Sequence, residues 1–334
     1  MIPSIKPTTL NVPSLASLTS LLTPQLKEID ICILNKMQSP VDLIPQIAGY
    51  LISLGGKRLR PLLTVASAEL CGYEGDRHIH LAACIEFIHT ATLLHDDVVD
   101  ESMLRRGMTS ANALWNNKAS ILVGDFLFSR AFELMVADGS LRVLKILSEA
   151  TSTLAEGEVL QLTSSHDLEL NQETYLKIIA AKTARLFSAA TEVGAVVAEA
   201  DEAQCRALAT FGHTLGIAFQ LMDDVLDYAA NQEKLGKAIG DDFREGKVTL
   251  PVIFAYEKGA DRAFWREAFE GRIHDDAALA HAIHLLKGSG ALLKTKHIAQ
   301  DFVREALDCL DMFPNCSLKA ALQELAHFST HREA

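Results

Sequence analysis

The amino-acid sequence predicts an all-α fold, a large single-domain helical bundle. Apolar residues recur at spacings of three and four along most of the 334-residue chain, Ala and Leu run throughout, and strand-type alternation is scarce. Nine prolines and 6% aromatics leave few breaks in that pattern. A chain that is 49% hydrophobic can fill one large core or two smaller ones. No flexible linker and no internal repeat divides it, so one domain over 19–334 is expected behind a loose arm at 1–18 rich in Ser, Thr and Pro.

Helical patterning begins at Leu21 and breaks at Ser39-Pro40. Gly55-Gly56-Lys57-Arg58-Leu59-Arg60-Pro61 reads as a loop leading into a helix, with Pro61 suited to the first turn. That helix covers 61–71 and stops at a turn through Cys71-Gly72-Tyr73-Glu74-Gly75-Asp76. A long helix is expected over 78–103, ending at Arg106-Gly107. Further helices are expected near 110–137, 141–164, 172–199, 201–229 and 248–258, and from 276 onward. The charged, Gly-rich stretch 231–247 is the one long central loop.

The formal net charge of −12 argues against a nucleic-acid surface, which needs a basic field. It leaves room for a phosphorylated small molecule neutralised by metal and a local basic cluster. Six scattered cysteines form no C-x-x-C pair, so free thiols in a reducing cytosol are expected rather than disulfides or zinc. The N-terminal segment lacks a basic region joined to an apolar block, and its one basic residue is Lys6, so neither a signal nor a transit peptide is expected. No uncharged apolar stretch reaches the ~18–20 residues that span a bilayer. A cytoplasmic protein without a transmembrane segment is the expectation.

One motif recurs. Asp96-Asp97-Val98-Val99-Asp100 and Asp223-Asp224-Val225-Leu226-Asp227 are two copies of D-D-x-x-D, each behind an apolar helical run. Positions i and i+4 share a helix face, so Asp96 stands beside Asp100 and Asp223 beside Asp227. Carboxylates a turn apart repel, apolar neighbours raise that cost, and a divalent cation relieves it. Oxygen-only ligands favour Mg²⁺, which takes one or two carboxylates and completes its octahedron with water and phosphate oxygens. A single copy is often a solvated helix face; two copies, each followed by basic residues, point to a diphosphate clamped between metal ions.

Such a site also needs fixed cations. Lys57 and Arg60 lie in a Gly-rich loop, Arg105 and Arg106 follow the first cluster, and Lys237 and Lys247 follow the second. Any one of them alone reads as a surface charge. Grouped beside both acidic clusters, they read as two anion pockets.

The stretches GGKRLRP, EFIHTATLLHDDVVDESMLRRG, VGDFLFSRAF, EGEVLQL, KTARLF, FGHTLGIAFQLMDDVLDY and LGKAIGDDFREGKVTLP together resemble the trans-polyprenyl diphosphate synthases over about 50–255. The resemblance implies a bundle of roughly ten or more helices around a central cavity, as a homodimer. It implies that Lys57, Arg60, His89 and Arg106 hold isopentenyl diphosphate. Arg105, Lys182, Thr183, Gln220, Lys237 and Lys247 would surround the allylic diphosphate and its developing cation. Asp96, Asp97, Asp100 and Asp223 would take about three Mg²⁺ ions, with Asp224 and Asp227 ligating or bonding metal-bound water.

The implied chemistry is ionisation of the allylic C–O bond, attack by the isopentenyl double bond, and loss of a proton to the departing diphosphate. Metal and cationic side chains would stabilise the leaving group, and an apolar cavity would exclude water. No Ser, Cys or His nucleophile is required. Ala91 and Thr92 lie one turn before Asp96, ~5–7 Å below the carboxylates, where the family's short-chain members resemble one another in carrying Phe or Tyr. Small Ala91 leaves the tail's path open, which predicts a long product of about C40–C50 suited to a quinone side chain. Ala91 read as tight helix packing is the competing view. Phe126, Phe128 and Phe132 are candidates for a deeper floor.

Other readings fit less. A shorter-chain farnesyl or geranylgeranyl diphosphate synthase would share every motif. A class I terpene cyclase would carry an N-x-x-x-S-x-x-x-E motif where Asp223 stands, and would not need the pocket at Lys57, Arg60 and Arg106. A di-iron carboxylate bundle would use the E-x-x-H pairs Glu86/His89 and Glu324/His327, leaving both aspartate clusters unexplained. A non-catalytic subunit of a heteromeric prenyltransferase would be expected to lack aspartates or lysines that are all present here.

Overall fold

Helix α5 (Arg77–Val99) is apolar on every side, and a helix of that kind must be surrounded by others. In the computed structural model, which describes residues 14–229, 239–259, 261–271, 273 and 275–332, it packs against α2 (Thr23–Lys36), α4 (Leu59–Leu70), α7 (Asn117–Asp138) and α10 (Arg185–Val197). Ile79, Leu81, Ala82, Ile85, Phe87, Ile88, Ala91 and Leu94 are all buried there. Helix α1 (Ala16–Leu21) begins inside the segment expected to be a loose arm, because Leu18 is fully buried in the same core. Helix α3 (Leu43–Ser53) leads to the Gly55-Gly56 loop, and α8 (Leu141–Thr163) follows α7 through the left-handed Gly139.

The other long central element is α11 (Glu202–Ala229). Its first half joins the core around α5 through Leu208, Phe211 and Leu215; its second half enters another packing centre through Leu221, Met222, Val225 and Tyr228. That second centre includes α9 (Gln172–Ile179), α12 (Asp241–Arg244), α13 (Leu250–Glu257), α14 (Arg262–Phe269), α15 (Asp276–Ser289) and α16 (Ala291–Cys309). Helix α17 (Ser317–His331) closes the chain against α16, α11 and α1. The chain is all-α, as expected. Among the described residues no helix is long and apolar enough to cross a membrane.

Two elements differ from the sequence pattern. The helix expected to run to 103 stops at Val99, and Glu101 adopts the left-handed conformation at φ 51°. A two-stranded antiparallel hairpin follows, β1 (Leu104–Arg105) and β2 (Met108–Thr109), leading to the short helix α6 (Ala111–Trp115). Its turn residues Arg106 and Gly107 both have positive φ, 53° and 76°, the geometry that matches hairpin twist. The run expected over 172–199 is interrupted at Ala180–Ala184 by a π-helical turn, which periodicity does not announce.

Candidate active site

The last turn of α5 delivers the first aspartate cluster. Successive residues on a helix are turned by about 100°, so Asp97 faces away from the side shared by Asp96 and Asp100. It is fully buried, and its carboxylate accepts from Arg105 Nε at 2.7 Å and pairs with Arg105 Nη2 at 2.6 Å. Its carbonyl accepts from the Ser102 N–H and from Asn112 Nδ2. Asp97 therefore fastens the hairpin and α6 to the end of α5. Asp96 lies 4.0 Å from Lys182 Nζ, and Asp100 accepts from Lys247 Nζ at 2.8 Å. Burial raises the Asp96 pKa, opposed by Lys182 and reinforced by the like charge of Asp100.

Lys182 sits in the π-helical turn and donates to Glu158 Oε2 at 2.6 Å. Gly157 makes that meeting possible, since a Cβ there would stand 2.8 Å from the Lys182 backbone nitrogen. Burial, then the nearby Asp96, pushes Glu158 up to about 7. Burial acts to lower Lys247, but the carboxylates of Glu245 and Asp100 carry it above its ordinary value. Lys182 and Lys247 thus each meet one carboxylate of the first cluster.

In the second cluster only Asp223 faces the basic side of the site, where it pairs with Arg332 Nη1 at 2.7 Å. Asp224 is buried between Tyr175, whose hydroxyl donates to Oδ2, and Gln220, whose Nε2 donates to Oδ1 at 2.9 Å. Burial first, then Asp242, pushes Asp224 up to about 8. Asp227 accepts the backbone N–H groups of Asp241 and Asp242 at 3.2 Å each, and its carbonyl accepts that of Gly240. Asp224 and Asp227 both accept hydrogen bonds from protein donors here. Gln220 Oε1 accepts from Thr183 Oγ1 at 2.9 Å, and Lys182, Thr183 and Gln220 line one cavity.

The basic residues gather around the Gly55-Gly56 loop and the middle of α5. Arg60 Nη1 lies 3.2 Å from His89 Nε2, with its guanidinium 4.5 Å from the centre of the Phe187 ring. Burial, then Arg60 and Arg106, holds His89 well below its usual range, which keeps it neutral. Burial lowers Arg60 to about 10, still protonated at neutral pH. The Arg106 guanidinium lies over Gly56, where a Cβ would stand 2.8 Å from Nη1. Arg58 turns away instead, with φ 45°, and pairs with Glu86 and Asp30. Lys57 stands 4.9 Å from the Phe328 ring centre, its pKa lowered by burial and by Arg332. Lys237 lies outside the described residues.

Ala91 is fully buried and Thr92 is 8% exposed, its hydroxyl donating to the His89 carbonyl at 2.7 Å. Phe126 and Phe128 pack against the same core, whereas Phe132 is 46% exposed on α7 and lines no floor within this chain. The E-x-x-H pairs are otherwise engaged: Glu86 by Arg58, His89 by Arg60, and Glu324 by the Ser14 N–H at 3.1 Å. Three participants escaped the sequence reading. Glu158 lies within the EGEVLQL stretch, Arg332 was visible only as a basic end, and Tyr175 carried no signal.

The donor set fits Mg²⁺. Asp96, Asp100 and Asp223 offer only oxygen, and among the described residues no three His, Cys, Asp or Glu side chains converge into a cage. Mg²⁺ takes one or two carboxylates and fills its remaining positions with substrate phosphate and water.

Comparisons with known proteins agree with this geometry. The sequence pattern of the family Polyprenyl synthetase matches residues 41–286. The chain is 42% identical over 322 residues to octaprenyl diphosphate synthase of Escherichia coli (strain K12), covering 96% of this chain and 99% of that protein. It superposes on a crystal structure of polyprenyl synthase from Caulobacter crescentus CB15 complexed with calcium and isoprenyl diphosphate with a TM-score of 0.94 at 51% identity, over 97% and 99% of the two chains. Against a decaprenyl diphosphate synthase from Rhodobacter capsulatus the TM-score is 0.91 at 47% identity, over 95% and 98%. Motifs, fold and coverage meet in one conclusion: the chain belongs to the polyprenyl synthetase family.

Proposed function

We propose that this chain is an all-trans polyprenyl diphosphate synthase, adding isopentenyl diphosphate by successive 1′-4 condensations to an allylic diphosphate primer. One observation carries the reading: two acidic helix turns, braced by Lys182, Lys247 and Arg332, lie near a second basic group of Lys57, Arg60 and Arg106. Two diphosphates need two such places. The octaprenyl and decaprenyl synthases to which it is similar support a long product of about C40–C50 for a quinone side chain, and small Ala91 agrees.

Mg²⁺, held by Asp96 and Asp100 on one side and Asp223 on the other, would neutralise charge on the departing diphosphate. Lys182 and Lys247 add fixed positive charge on the same oxygens. As the allylic C–O bond breaks, its electron pair leaves with the diphosphate. The Thr183 and Gln220 dipoles border the resulting cation. Arg60, Arg106 and Lys57 hold isopentenyl diphosphate so that its double bond attacks, and the proton then lost passes to the freed diphosphate. Neutral His89 acts through Arg60, fixing the guanidinium by accepting from it. Asp97 and Arg105 hold the hairpin that presents Arg106.

A homodimer suits the surface. Leu122, Phe132 and Val136 lie along one side of α7 at 67%, 46% and 68% exposure, and Val159 and Leu162 are exposed on α8. An apolar stripe of that kind marks a protein interface. The six cysteines are free thiols, which suits the cytoplasm.

The test is incubation with labelled isopentenyl diphosphate, farnesyl diphosphate and Mg²⁺, followed by dephosphorylation and chromatographic sizing. Long polyprenols that vanish in chelator are expected. Products stopping at C20 would instead favour a geranylgeranyl synthase, and consumption of allylic diphosphate alone would favour a cyclase.

A further inference from the structure

We propose that Tyr175 and Asp224 are positioning residues that set the orientation of the Gln220 amide and thereby hold Thr183 and Lys182 toward the allylic substrate; this rests on the prenyl-transfer reading above. Tyr175 and Asp224 are both buried, at 4% and 2% exposure. The chain of contacts runs from the Tyr175 hydroxyl to Asp224 Oδ2, from Gln220 Nε2 to Asp224 Oδ1 at 2.9 Å, and from Thr183 Oγ1 to Gln220 Oε1 at 2.9 Å.

Each link fixes the next. Gln220 turns its NH₂ toward Asp224 Oδ1 and its carbonyl oxygen toward Thr183. The Thr183 hydroxyl must then donate, which leaves its lone pairs directed elsewhere. Tyr175 supplies the second donor that a buried carboxylate needs. The geometry adds a mechanical argument. Tyr175 in α9 and Thr183 in the π-helical turn belong to one helical run, while Gln220 and Asp224 lie one turn apart on α11. Two cross-links to α11 therefore tie down the helix leading into the irregular turn and the residue beside Lys182 within it. The same side chains wall a cavity of about 100 Å³ that Lys182, Lys247 and Asp242 also line, so the relay borders the charged site rather than a remote core.

In this arrangement the second aspartate of the second motif anchors hydrogen bonds and is not a metal ligand. Tyr175→Phe removes the contact that fixes Asp224 from its far side and so loosens the Gln220 amide at Thr183.

The test combines kinetics with direct binding on the full chain. Tyr175→Phe and Asp224→Asn are expected to lower kcat about tenfold or more while KM for both diphosphates stays within about twofold, the mark of an interaction felt in the transition state. Their double mutant should lose no more than the worse single one, because they act as a unit. Thr183→Ser should retain activity and Thr183→Val should not. Calorimetry with inorganic pyrophosphate and Mg²⁺ should give wild-type binding for Tyr175→Phe and Asp224→Asn, and weakened binding for Asp223→Asn. The proposal is overturned if Asp224→Asn weakens pyrophosphate binding as Asp223→Asn does, or if Tyr175→Phe keeps wild-type kcat. Should Asp224→Asn fail to fold, the Tyr175 and Thr183 variants decide alone. A wild-type chain that elongates nothing overturns the proposed function instead, while the calorimetric arm still tests the role of Asp224.

Discussion

Asp97→Asn separates two readings of the first aspartate motif. The substitution keeps shape and removes charge from a carboxylate with no exposed surface that meets Arg105 at 2.7 and 2.6 Å. Breaking a buried pair by neutralising one member costs about 3–5 kcal/mol. Arg105 keeps 21% of its side chain exposed, so water rescues part of the orphaned charge and the lower end applies, about 3 kcal/mol. In a chain of this size each kcal/mol moves Tm by about 1–3 °C, giving a drop of about 3–9 °C by thermal melting in chelator. The loosened hairpin carries Arg106, so KM for isopentenyl diphosphate should rise about tenfold, while the Mg²⁺ concentration giving half-maximal rate stays at the wild-type value. Asp96→Asn should do the reverse: little change in chelator melts, and a shifted Mg²⁺ curve. An Asp97→Asn protein that melts like wild type and needs more Mg²⁺ would falsify the assignment and return Asp97 to the metal.

Three further outcomes follow from the same geometry. Ala91→Phe places a ring in a fully buried position about 7.5 Å along the helix from Asp96; chromatography should show products shortened toward C15–C20, and unchanged lengths would remove Ala91 from the tail's path. Arg332→Ala frees Asp223 from its cation, so Mg²⁺–pyrophosphate calorimetry should show metal loading at lower Mg²⁺, with a higher KM for isopentenyl diphosphate; a lower affinity for Mg²⁺ would contradict the pairing. Asp224 and Glu158 keep their protons up to about 8 and about 7, so between an ordinary unfolded carboxyl near ~4 and those values the folded chain binds more protons than the unfolded one. Raising pH through that window removes stability: melts in chelator should fall from pH ~5 to ~9, Asp224→Asn should flatten the slope, and a Tm that climbs would count against the buried carboxyls.

Much of this was legible in the sequence because it follows period and composition. Helices repeat every 3.6 residues, so α5 and α11 declared themselves, and repeated D-D-x-x-D motifs behind apolar runs announced carboxylates at two helix ends. What period conceals is direction. Within each motif the neighbouring aspartates point about 100° apart, and the structure divides them: Asp96 and Asp223 toward the site, Asp97 and Asp224 into anchoring contacts with Arg105 and with Tyr175 and Gln220. A string of letters treats the pair as equivalent and does not show which way each carboxylate points.

Chirality of the backbone conceals the rest. The hairpin that carries Arg105 and Arg106 depends on left-handed conformations at Glu101, Arg106 and Gly107, of which only the glycine is visible as a turn former. The π-helical turn at Ala180–Ala184 is composed of good helix formers and leaves no mark in periodicity, yet it carries Lys182 and Thr183. Arg332 was unreadable for another reason: its partner Asp223 lies far away in the chain, and only the packing of α17 against α11 brings them together. The common factor is that the acidic chemistry is local and therefore written in motifs, whereas its orientation depends on tertiary contacts. The same logic explains why a conservative change at a second aspartate should be felt in the neighbouring loop or turn, not in the affinity for metal.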